Sequence, residues 1–179
     1  MNSPRLFILG KGSIARALAR IAHASDYVVT VCEPGLAIHD WPSGVELVDK
    51  IYSDDPWSLP VHSHAVIARG HEGDAQSVVS LLQQGAEHVY LIASARRAQA
   101  VIQQAQTLAV TPLDLERLSA PAGLDLGGSE SSEIALSIVA EIQWRRQVGS
   151  LLPMRELRQS RAAKAATTIH DDDCPGRRA

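Results

Sequence analysis

Cysteine is scarce in this sequence. Cys32 and Cys174 are its two cysteines and stand far apart. Neither belongs to a CxxC pair, so a disulfide framework and a zinc or iron–sulfur site both lack support. A basic excess is also missing: 17 Lys and Arg against 20 Asp and Glu give a formal net charge of -3. That balance speaks against nucleic acid and against an anionic membrane surface as partners. There is no long apolar run near the start either. Met1 to Arg5 leads directly into Leu6-Phe7-Ile8-Leu9, which is far too short to target or span a membrane. A cytoplasmic protein with no membrane association is the expectation.

What is present is ordinary globular material. The 179 residues are 45% hydrophobic and 21% charged, the size and composition of one domain with its own core. Leu6 to Leu9 reads as a buried parallel strand, followed by a glycine turn and an amphipathic helix over Ser13 to His23, with Ile14, Ala17, Leu18 and Ile21 at helical spacing. Tyr27 to Cys32 is apolar and largely β-branched, a second strand that completes a βαβ unit. Further strands are predicted at Val45 to Val48, His64 to Ala68 and His88 to Ala93. Helices are predicted at about Asp74 to Gln84, Arg96 to Ala109 and Glu133 to Gln147, with a short helical turn at Pro112 to Leu118. The alternation predicts an α/β fold: a doubly wound parallel sheet, Rossmann-like, in three α/β/α layers. Residues 1–150 form that domain in this reading, 151–168 a basic C-terminal helix carrying Arg155, Arg158, Arg161 and Lys164, and 169–179 a flexible tail.

Gly10-Lys11-Gly12-Ser13-Ile14-Ala15 fits the opening of G-x-G-x-x-G/A between a strand and a helix. Gly10 would permit the tight turn, Gly12 would let the backbone approach a phosphate, and Ala15 would let the helix pack closely on the sheet. The phosphate would rest on the free N–H groups at the helix N-terminus, including those of Ser13 and Ile14. Glu33 ends the second strand, where an acid bonds ribose hydroxyls; its charge would repel a 2′-phosphate and so favours NAD over NADP. An exposed acid leaving a strand is the equal alternative. His71, in the loop Gly70-His71-Glu72-Gly73-Asp74, is either a ligand contact or an ordinary loop histidine, and Asp74 is the expected N-cap of the next helix. Ser94 reads as an N-cap. Arg96 and Arg97 oppose the dipole of the helix they open, which suggests a nearby anion, with solvated arginines as the plainer alternative. The loop Ala120 to Gly128 and the serines after it read as structural. His170 to Cys174 holds metal-binding side chains but no preorganised site.

Four segments together resemble a known family: Leu6 to Leu18, Val66 to Asp74, Val89 to Arg97 and, most specifically, Pro121 to Glu141 (PAGLDLGGSESSEIALSIVAE) look like the Rossmann domain of XdhC/CoxI proteins. The resemblance runs from about Arg5 to Arg145. It implies a Rossmann domain, frequently dimeric, in an accessory factor that is not itself an enzyme. Such a factor binds molybdenum cofactor and delivers it to a molybdenum hydroxylase apoenzyme of the xanthine dehydrogenase or carbon monoxide dehydrogenase type. Several positions depart from the family: Ser13 stands for a frequent histidine, Glu33-Pro34-Gly35 for an aspartate followed by arginine, Ala68 and Arg69 for threonine and histidine, and Ser131 for a proline. The leading expectation is therefore a maturation factor that holds molybdopterin, or its nucleotide form, across Gly10 to Ala15 with help from His71, Ser94, Arg96 and Arg97. An NAD-dependent oxidoreductase using Glu33 and a non-catalytic nucleotide sensor or scaffold are the alternatives. A homodimer is expected from the family and from the apolar stripe of the Glu133 to Gln147 helix.

Overall fold

The computed structural model describes residues 3–49, 59–60, 62–70, 73–108, 110–147 and 149–158. In it the apolar runs become strands of one six-stranded sheet, in the order β3-β2-β1-β4-β5-β6. These are β1 (Arg5–Leu9), β2 (Val28–Cys32), β3 (Glu46–Val48), β4 (Ser63–Ile67), β5 (His88–Leu91) and β6 (Leu118–Ser119). Every neighbouring pair is parallel. The helices are α1 (Ser13–Ala24), α2 (Asp74–Gln83), α3 (Ala95–Thr107), α4 (Pro112–Leu115) and α5 (Ser131–Gln147). The two halves of the sheet diverge from the central β1–β4 pair, which is the doubly wound arrangement the sequence predicts.

Successive strand residues face opposite sides, and both sides are covered. Leu6, Ile8, Val29, Val31, Val66 and Tyr90 pack with α1 and α5. Phe7, Leu9, Ala65, Ile67, Val89 and Leu91 pack with α2 and α3. The stripe on α5 belongs to the first of these cores: Ile138 and Ile142 are fully buried and Ile134 packs against them. That stripe covers the chain's own sheet and so offers no face to a second copy, which corrects the dimer argument drawn from it.

Two local expectations also change. Asp74 is not the cap of α2 but its first residue; Gly73 takes the capping position with φ 96°, a left-handed conformation that glycine adopts without steric cost. Of the helical turn predicted at Pro112 to Leu118, Pro112–Leu115 is helical, and Leu118–Ser119 instead adds the sixth strand beside β5. The described residues from Trp144 onward belong to a second unit. Within it the Trp144 indole N–H donates to the Gly149 carbonyl, and residues 154–158 are helical. Arg161, Lys164 and the 169–179 tail lie outside the described residues.

One buried polar group ties α5 to the edge of the sheet. Glu141, 5% exposed, accepts from the Ser119 hydroxyl at 2.5 Å and from the Gly123 N–H at 2.7 Å. Ser119 thereby gives up its only proton, so His88 Nε2, 2.9 Å away, is the donor to Ser119 Oγ. At the other end of β5's connection, Thr111 and Asp114 form a reciprocal capping box on α4. Arg117 bonds Asp114 and also reaches the carbonyls of Ala86 and Leu82.

Two outcomes follow from these contacts. Replacing Glu141 with Ala leaves two donors without their charged acceptor and is expected to cost about 2–3 kcal/mol in urea unfolding, with Glu141→Gln costing less. The Thr111 hydroxyl and N–H, helped by Arg117, hold the Asp114 carboxyl down from 3.8 to about 2. A depressed folded pKa contributes stability that is present above the ordinary carboxylate value and lost as pH falls from about 4 towards 2. Thr111→Ala should therefore lower the unfolding midpoint at pH 6, and the gap from the parent should narrow towards pH 2, leaving the part due to the Asp114 N–H that Thr111 caps.

Candidate functional site

The site is built where β1 hands over to α1. Gly10 has φ +132°, and a Cβ placed on it would lie 2.6 Å from the Ala68 carbonyl oxygen. Only glycine lets the turn after β1 pass so close to the chain leaving β4. Gly12 is different. Its backbone is extended (φ -71°, ψ -179°), it caps α1 without any side-chain hydrogen bond, and a Cβ there would meet nothing within 4 Å among the described residues. The first turn of α1 contains no acid. Its N-terminal N–H groups thus have neither a side-chain cap nor a carboxylate of their own.

Side chains from distant elements rim this turn. Ser13 Oγ lies 2.8 Å from Ser131 Oγ at the start of α5, which brings the N-termini of two long helices together. Lys11 reaches sideways to donate to the Pro34 carbonyl at 2.7 Å, and Arg16 donates to the Lys11 carbonyl at 3.0 Å. Ile14 turns inward and packs on the core, so its contribution to a ligand would be its backbone N–H.

Glu33 stands at the end of β2, as expected, but Arg69 has claimed it. Arg69 Nε donates to Glu33 Oε2 at 2.8 Å, with the two side chains only 6% and 14% exposed. Nη1 reaches Ser77 Oγ at 3.5 Å, a marginal length. Nη2 is buried with no hydrogen-bond partner among the described residues. Leaving such a donor unmet costs on the order of 1–3 kcal/mol, so it needs an explanation. Beside this pair the Cys32 thiol is pushed up to about 12, chiefly by burial and next by the Glu46 carboxylate, with Arg69 pulling the other way. It is a neutral core thiol at physiological pH, not a nucleophile.

Ser94 caps α3 as predicted, accepting from the Arg97 N–H at 3.3 Å. The anion expected near the arginines is present for one of them: Arg97 Nη2 donates to Asp74 Oδ2 at 2.5 Å. That carboxylate is 1% exposed, so the first residue of α2 is held by the first turn of α3. Arg97 also borders the Gly70 backbone. Arg96 is exposed and makes no ion pair among the described residues. His71 lies outside the described residues. Two residues of the rim escaped the sequence reading. Arg69 left a signal, an arginine closing an apolar run, since a charge at the end of a buried strand must find a partner. Ser131 left none, because its contact bridges 118 positions.

A family model for the XdhC Rossmann domain matches residues 6–142. The chain belongs to the XdhC family. Among solved structures, this XdhC-type domain is similar to a Bacillus halodurans protein described as a xanthine dehydrogenase. That likeness has 22% identity and a TM-score of 0.68, over 83% of this chain and 47% of the other. It is also similar to the uncharacterized protein YqeB of Escherichia coli (strain K12), at 26% identity over 144 residues, 78% of this chain and 27% of the relative. The chain thus spans about half of the first and about a quarter of the second. Homoserine dehydrogenase of S. aureus is a more distant likeness, with a TM-score of 0.42 at 16% identity. Among the described residues no helix is long and apolar enough to cross a membrane.

The two glycines of the XdhC-type turn should respond oppositely to substitution. Gly10→Ala places a methyl against the Ala68 carbonyl at an unfavourable φ, and about 2–4 kcal/mol of stability should be lost. Gly12→Val meets open space in an allowed conformation and should stay within about 1 kcal/mol of the parent. Chemical denaturation of the two variants side by side checks this. Equal losses would mean that the space over Gly12 is not open.

Proposed function

We propose that the chain is an accessory factor for a molybdenum hydroxylase of the xanthine dehydrogenase or carbon monoxide dehydrogenase type. It holds the molybdenum cofactor, or a nucleotide form of it, for delivery to the apoenzyme. Membership of the XdhC family is one support. The observation that carries the reading is the open turn at Gly12, because the cofactor ends in a phosphate and the turn offers helix N-terminal N–H groups with no side-chain cap among the described residues.

The residues present fit such a group. Gly10 sets the turn, and Gly12, Ser13 and Ile14 present backbone donors to the phosphate. Ser13 and Ser131 offer hydroxyls at the rim, and Ser94 and Arg96 stand at the next helix start as contacts for the remainder of the molecule. Arg97 holds that helix start in place through Asp74. The bound cofactor would supply the molybdenum-ligating dithiolene; the chain binds, orients and releases it. The NAD alternative rests on Glu33, one of whose two carboxylate oxygens, Oε2, already accepts from Arg69.

Native mass spectrometry after anaerobic incubation with released molybdenum cofactor, NAD, NADP, AMP and CTP together tests this. The expected result is a retained pterin mass that disappears in Gly12→Val while the variant stays folded. Retention of NAD with no pterin would sink the carrier reading.

A further inference from the structure

The unmet donor on Arg69 is the one feature of the site that the reading above leaves unused. A guanidinium keeps its charge at every physiological pH and carries five N–H donors. Three observations bear on what Arg69 Nη2 awaits. Arg69 lies two residues beyond β4, at the carboxyl end of the sheet, and β4 pairs with β1 where the winding reverses; open α/β sheets bind ligands at that place. Its Nε bond to Glu33 fixes the guanidinium and neutralises the carboxylate, which removes the charge that would repel an anion. Its side chain is 6% exposed, and Nη2 has no partner among the described residues.

We infer that Glu33 and Arg69 together make the end of β2 a receptor for a phosphomonoester, not for a ribose diol, with Arg69 Nη2 donating to a phosphate oxygen. This deepens the proposed function and rests on its central part, a phosphate-bearing ligand at the carboxyl end of the sheet. It reverses the preference read from Glu33 alone, because the acid no longer faces the ligand as a free charge. Glu33 is the positioning residue: it holds Nε and leaves Nη2, buried and without a partner among the described residues, to the ligand. The phosphomonoester has two chemical sources, the 2′-phosphate of an adenine nucleotide or the terminal phosphate of a pterin.

Calorimetric titration of the whole chain with two matched pairs of probes separates these sources. One pair is 5′-AMP and adenosine 2′,5′-bisphosphate. The other is an oxidised pterin phosphate and the same pterin after phosphatase treatment. The phosphorylated member of one pair should bind about tenfold tighter or better, and the pair that shows it identifies the source. In Glu33→Gln/Arg69→Met, which buries no lone charge, the ratio should collapse to about one. Glu33→Gln alone should keep or raise it, since the competing acceptor is weakened. Equal affinities within both pairs, or a ratio that survives the double substitution, overturns the inference. Gly12→Val distinguishes the two claims. If it abolishes all binding while the parent ratio is one, the glycine-turn reading stands and this inference falls. If it leaves binding intact while the ratio depends on Arg69, the reverse holds. No binding of any probe overturns both.

Discussion

The passage of Gly10 against the backbone of Ala68 governs the upper edge of this molecule. Two chain segments leave adjacent parallel strands in the middle of the sheet, and a Cβ at Gly10 would lie 2.6 Å from the Ala68 oxygen. Because they can close on each other, Arg69 is set beside the end of β2 and Gly12 is set out over α1. The loops of an open α/β sheet usually leave a crevice at this point. Here the two backbones meet at that point, and the residues just after the contact are Lys11 to Ile14 on one segment and Arg69 on the other.

Charge is distributed on the same plan. Two of the acids near this edge are consumed internally, Glu33 by Arg69 and Asp74 by Arg97. Buried pairs of this kind contribute little net stability, because desolvation cancels much of the attraction, yet breaking one is costly. Their effect is to fix geometry and to pair these two carboxylates with arginines. Lys11 and Arg16 act the same way, since each donates to a backbone carbonyl of the rim and holds the chain in place.

Much of this could be read from the residues. The strand at Leu6 to Leu9, the helix after it and the strand at Val28 to Cys32 follow from apolar runs and helical spacing, because burial on both faces of a parallel strand leaves a plain signature. What failed to show was whatever depends on a partner distant in sequence. Leu118–Ser119 is a strand only because β5 lies beside it; two residues carry no period. The apolar stripe of α5 was plain in the sequence, but its destination was not, since a core and a dimer face ask for the same residues. Asp74 looked like a cap because acids often are, and Gly73 took that position through a conformation no composition reveals. Glu33 met Arg69 across 36 positions, so a site acid legible by its spacing turned out to be engaged already.

The hydroxyl contact between Ser13 and Ser131 joins the first helix to the last one of this unit, 118 positions apart. Glu141 anchors that last helix through Ser119 and Gly123, which are themselves late in the chain. During synthesis the β1–α1 turn leaves the ribosome early, but its rim stays incomplete until the end of the domain has emerged and docked. The rim is therefore a product of the finished domain, because one of its two hydroxyls comes from the start of α5.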